Sequence, residues 1–395
     1  MRKHFILIFC VVYLCILCSC GMVKKEIPSV TLTPINCEWG YHNFIVFGDD
    51  AYYILCGGLI ARWDGEVDHQ AIPICKKPDC SHDQPECCAF VNMEYPHRKM
   101  FYLDGSLYLF GRAQEDSVTK SHGFPMWKVA ADGSSKEIAF FASDFPNMYT
   151  VLGDVAYYDF CQEDENGKLI TTLWAQPLQG GEETLIWKSE LQNGGLDMIQ
   201  GINGQLYFSE YGVDQSIDLE NIDTGFDNVQ REYNLYTYQP ETGEVKRDSL
   251  FQKEDGSIAV IWNFFDGDWY YSYNTTEENV MWRRPEEGSG DAVCLGKMPK
   301  YVNAADPLYM YSGWWVDRET KSGEVSVYDY NQNLIQRIQF PMEDTFEWLP
   351  ATEDYVFGYY EKPINEEARI EKSVILLERD KLADGAAEMI TLIQR

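Results

Sequence analysis

Short apolar runs alternate with polar turn clusters along the chain from residue 37 onward, a rhythm that predicts strands rather than helices. Tyr102-Leu103-Asp104-Gly105-Ser106-Leu107-Tyr108-Leu109-Phe110 shows the unit: an apolar strand, a two-residue Asp-Gly turn and an aromatic strand. Relatives of this hairpin recur with anchors at Tyr52, Tyr108, Tyr157, Tyr207, Tyr270, Tyr309 and Val356. Each anchor is followed by a second run that closes on a polar turn, marked by Trp63, Trp127, Trp174, Tyr236, Trp282, Tyr328 and Leu376. A fourth apolar run follows, as in Ile138-Ala139-Phe140-Phe141 and Thr184-Leu185-Ile186-Trp187. Each unit is therefore expected to hold four strands in hairpin succession.

A unit of four antiparallel strands and roughly 40 to 50 residues has the size of one propeller blade. A single blade cannot cover both of its faces, but blades arranged radially bury their aromatic and aliphatic faces on one another. Composition agrees, with 26 Tyr, 20 Phe and 11 Trp suited to pleated, half-buried surfaces. The predicted class is all-β: a β-propeller of four-stranded antiparallel blades over residues 37–395. The anchors count seven blades; six and eight are the neighbouring solutions, because the fourth and seventh units are irregular. As a set, the units resemble the Tyr-rich propeller repeats of bacterial, clostridial-type surface lipoproteins, related to the YWTD type. They lack the Gly-His and Trp-Asp pairs of WD40 repeats and the boxes of sialidase-type propellers.

The pattern breaks at the N-terminus. Arg2-Lys3-His4 is followed by an apolar run from Phe5 to Leu17, which is too short to cross a bilayer and reads, over residues 1–19, as an export signal. Leu17-Cys18-Ser19-Cys20 resembles the lipobox of bacterial lipoproteins. That resemblance implies cleavage before Cys20, diacylglyceryl attachment to its sulfur and a chain held at the outer face of a Gram-positive cell membrane. Two acyl chains give stable anchoring where one is marginal. Residues 20–36, rich in Ser, Thr and Pro after the lipidated cysteine, read as a tether.

The net charge of −31 excludes nucleic acid as a partner, because a polyphosphate needs a basic groove. The expected partners are the membrane, through the lipid, and an extracellular protein or glycan. Cysteine changes the picture further, since Cys37, Cys56, Cys75, Cys80, Cys87 and Cys88 crowd the first unit. In an exported protein this density is read first as disulfide bonding. The alternative is zinc: Cys75, Cys80, His82 and Cys87 supply a Cys3His donor set, although C-x4-C-x-H-x4-C is not a common finger spacing. Either chemistry would make a structural clasp between the first two blades. The insertion between Glu210 and Glu232 carries Asp214, Asp218, Glu220, Asp223 and Asp227. These carboxylates read as a solvated acidic loop, with contact to a partner or binding of Ca²⁺ as the functional alternatives.

No nucleophile elbow, zinc-protease helix, dinucleotide turn or phosphate loop occurs, so no catalytic residue and no organic cofactor is assigned. The expected function is a membrane-anchored, non-enzymatic binding or scaffold platform. The alternative is a propeller-fold polysaccharide hydrolase or lyase with carboxylates at its funnel, which only their separation in space would reveal.

Overall fold

The computed structural model describes residues 42–49, 51–93, 98–115, 122–216, 232–248, 259–265, 267–273, 280–285, 291–299, 302–306, 308–317, 322–340, 345–363 and 370–395. Cys20, Cys37, Asp218, Glu220, Asp223 and Asp227 lie outside the described residues, as do the signal and tether. The rest forms a seven-bladed β-propeller of four-stranded antiparallel blades in chain order, with Gln114–Glu115 added to blade 2 and a short parallel pair, His42–Asn43 with Arg98–Lys99, outside the blades.

Blade 1 comprises Ile45–Gly48, Ala51–Cys56, Leu59–Trp63 and Ile72–Pro73; blade 2 comprises Phe101–Leu103, Ser106–Phe110, His122–Ala130 and Lys136–Ala142. Blades 3 to 7 begin at Tyr149, Leu191, Ala259, Val302 and Thr345 respectively. Six of the seven sequence anchors fall in second strands, and Tyr309 immediately precedes the second strand of blade 6, Met310–Asp317. The markers from Trp63 to Leu376 fall in third strands. Tyr102–Phe110 is the inner hairpin of blade 2, with Leu103 paired to Ser106 across the turn.

That turn explains its own sequence. Asp104 has φ 46° and Gly105 φ 72°, the two positive values that match a hairpin turn to the right-handed twist of its strands. Asn203 and Gly204, at 47° and 78°, repeat the geometry in blade 4. First strands of neighbouring blades touch, which places them innermost. Fourth strands lie outermost, and Ile72, Leu185, Val293 and Leu334 are exposed on them.

The core is divided among the junctions between blades. Phe101, Phe110 and Met126 of blade 2 pack on Tyr149, Tyr158 and Phe160 of blade 3, and comparable clusters fill the other junctions. The ring closes without a shared sheet, because blade 7 ends within its own four strands and blade 1 begins within its own. Phe44 stacks on Tyr359 at 4.3 Å between ring centroids, and the Tyr355 hydroxyl donates to the Gly65 carbonyl at 2.9 Å. Ala71 N–H donates to Leu392 O at 3.0 Å on the outer side. Among the described residues, no helix is long and apolar enough to cross a membrane.

Candidate metal centre and buried polar groups

Residues 74–93 form a strap that leaves the last strand of blade 1 and folds back over it. Three backbone hydrogen bonds bind it there: Ile74 N–H to Ile60 O, Ile60 N–H to Ala89 O and Val91 N–H to Gly58 O, at 3.2, 2.7 and 2.9 Å. Its other side rests on blade 2. Gly133 in the outer turn of that blade has φ 74°, and a Cβ there would stand 1.9 Å from Ile74 O. Glycine is required twice over, by conformation and by space. The buried Cys88 thiol donates to Gly133 O at 2.9 Å.

Lys136, at the start of the outer strand of blade 2, reaches into the strap as an internal cation. Its ammonium donates to the carbonyls of Pro85, Cys87 and Phe90, the last two at 2.8 Å, and lies 5.0 Å over the Trp127 ring. Burial lowers its proton affinity, while Cys87, Cys88 and Glu86 act to raise it.

Four donors converge within the strap. Cys75 Sγ, Cys80 Sγ, Cys87 Sγ and a ring nitrogen of His82 all lie within 4.8 Å of one another, with His82 Nδ1 3.4 Å from Cys87 Sγ. Asp79 and His82 adopt φ values of 57° and 56°, left-handed turns that fold the short segment back on itself. Cys75 and Cys87 are buried, while Cys80 and His82 are partly exposed. Burial alone would raise the Cys75 thiol, but the Lys77 N–H and the neighbouring thiols of Cys87, Cys88 and Cys80 bring it below the ordinary value. Burial pushes Cys87 up to about 12. Such a set can bind a soft or borderline metal ion or form disulfides.

The other predicted site residues lie apart from this set. Cys56 is buried on the second strand of blade 1, its thiol donating to Lys372 O at 3.4 Å. Asp214 ends the second strand of blade 4, where it accepts from Ser216 N–H at 2.7 Å, and that residue's hydroxyl holds its carboxyl below the usual range. Cys75, Cys80, Cys87, Cys88, Cys161 and Cys294 are free thiols.

Three buried acids carry no sequence signal. Asp306 accepts from Leu308 N–H and Tyr309 N–H at 2.8 and 3.0 Å, from the Tyr311 hydroxyl, and from Arg379 Nη2 at 2.6 Å. Arg379 opens the short helix Arg379–Ala383 of blade 7 and also donates to Thr352 O, so this ion pair pins blade 6 to blade 7. Glu210 in blade 4 accepts from Ser189, Asn234 and Tyr236 at 2.5, 2.9 and 2.7 Å. Asp159 in blade 3 accepts from Met148 N–H through one oxygen, and its other oxygen has no hydrogen-bond partner. Burial raises its pKa to about 7.

No protein-family model matches the chain, and no curated protein matches it. Among solved structures it is similar to an acylaminoacyl peptidase of Pyrococcus horikoshii, at 10% identity and TM-score 0.40, over 71% of this chain and 48% of that one. A puromycin-hydrolyzing peptidase of Mycobacterium tuberculosis gives 9% identity and TM-score 0.41, over 84% and 49%. A Synechocystis apocarotenoid oxygenase variant gives 12% and 0.35, over 88% and 71%. The chain spans about half the length of the two peptidases.

Proposed function

We propose that the chain is an extracytoplasmic lipoprotein, tethered through Cys20 to the outer face of a cell membrane, whose propeller presents a non-enzymatic binding surface to a protein or glycan. The observation that carries this reading is the order of its parts. A basic start, a short apolar run and Leu17-Cys18-Ser19-Cys20 stand ahead of a polar tether and a propeller built from repeats.

The buried acids support a platform over a hydrolase. Asp306 is held by Arg379 and Tyr311, and Glu210 by three side-chain donors, so both serve to join strands and blades. A proton affinity near 7 would suit Asp159 to acid catalysis, but the residue is 1% exposed and walled from any substrate.

Growth with labelled palmitate tests the anchor. Label is expected in the membrane-bound wild-type protein, and Cys20→Ala is expected to be unlabelled and released from the membrane. A Cys20→Ala chain that stays bound, or an unlabelled wild-type chain, would remove the lipoprotein reading.

A further inference from the structure

The strap's donors are arranged with more order than a cysteine-rich loop requires. With Zn–S near 2.3 Å and Zn–N near 2.0 Å, tetrahedral donors stand about 3.5 to 3.8 Å apart. Atoms already within 4.8 Å of one another close on an ion through small side-chain shifts.

The charges match as well. Three thiolates around a dication leave a net charge of −1, and the Lys136 ammonium is fixed beside them on the Cys87 and Phe90 carbonyls. A buried charge of that sign needs a partner, and the lysine provides one from the neighbouring blade.

A disulfide between any two of Cys75, Cys80 and Cys87 would employ two donors and leave the third thiol and His82 converged on it without purpose. Cys88, the remaining thiol of the strap, is turned to the Gly133 carbonyl. Three sulfurs and an imidazole select zinc over Ca²⁺ or Mg²⁺, which prefer oxygen. With four protein ligands no coordination position is open for substrate, which is the structural kind of site.

We infer that Cys75, Cys80, His82 and Cys87 bind one Zn²⁺ as a closed structural site that clips the end of blade 1 to blade 2. Binding displaces the thiol protons and keeps the three sulfurs from pairing in an oxidising compartment. The site does not depend on lipidation, so it stands or falls separately from the anchor.

The full chain, purified without chelator, is assayed for metal by plasma mass spectrometry and then reloaded with cobalt(II). One zinc per chain is expected, together with the sulfur-to-cobalt charge-transfer band and strong visible bands of a tetrahedral thiolate site. Cys80→Ser and His82→Ala are expected to bind zinc at least tenfold more weakly with an unchanged far-ultraviolet spectrum, whereas Cys88→Ser keeps full affinity. Should the variants misfold, the cobalt spectrum of the wild-type chain decides alone. A spectrum without the thiolate band, a disulfide among Cys75, Cys80 and Cys87 in peptide maps of the untreated chain, or loss of zinc from Cys88→Ser with retention by Cys80→Ser would overturn the assignment.

Discussion

Two junctions of the same ring are fastened by different chemistry. Between blades 6 and 7 the fastener is a buried ion pair, Asp306 with Arg379, held further by the Thr352 carbonyl and the Tyr311 hydroxyl. Between blades 1 and 2 it is a partly exposed strap, pinned by Lys136 and carrying four converged metal donors. Apolar packing fills both junctions, yet packing is non-directional and sets no angle between adjoining sheets. Directional bonds at the rim do that. The comparison teaches that each rim fastener suits its burial: an ion pair where water is excluded, and a metal-ready cluster where two of the donors remain accessible.

Breaking the ion pair is expected to have the largest effect. Arg379→Met leaves Asp306 buried with its charge uncompensated and should cost about 3–5 kcal/mol in denaturant unfolding. The double variant Asp306→Leu with Arg379→Met should recover much of that loss, because both charges leave together. A double variant as unstable as the sum of its parts would show that the pair does not act as a unit.

Asp159 is a buried acid whose second oxygen has no hydrogen-bond partner, and it sharpens the contrast through pH. Its folded pKa, near 7, stands above the value of about 3.9 for an unfolded aspartate, so the folded chain binds more protons between those limits. The contribution of this group to stability should therefore be greatest below about pH 4 and decline as pH rises to 7, by about 2–4 kcal/mol. Asp159→Asn should match the wild type in acid and exceed it at pH 8. An equal difference at both pH values would deny the shifted titration.

At the strap, Gly133→Ala pushes a methyl group against Ile74 O and should cost about 2–3 kcal/mol. Gly105→Ala has the same sign of φ but nothing within 4 Å of the added carbon, and should cost only about 1 kcal/mol. Equal losses at the two glycines would mean that the strap yields freely and does not grip blade 2.

Much of this architecture was legible in the sequence, because a repeat writes each strand several times. The anchors at Tyr52 through Val356 and the turn at Asp104-Gly105 located all seven blades, since strand alternation and hairpin turns are local properties. The Cys75–Cys87 donors were legible for the same reason, lying close together along the chain. Asp306 and Arg379 were not, because they are 73 residues apart and each sat inside a segment already explained as turn or strand. Lys136 was missed likewise: on the sequence it is one surface lysine of an outer strand, and only blade packing carries it to the Cys87 carbonyl. The preference between disulfides and zinc could not come from spacing, since it depends on whether the imidazole points at the sulfurs.

The most direct test of the strap as a metal fastener is X-ray absorption at the zinc edge on the full, untreated chain. Three sulfur scatterers near 2.3 Å and one nitrogen near 2.0 Å are expected. A shell dominated by oxygen, or a chain free of zinc with its strap cysteines paired, would contradict it.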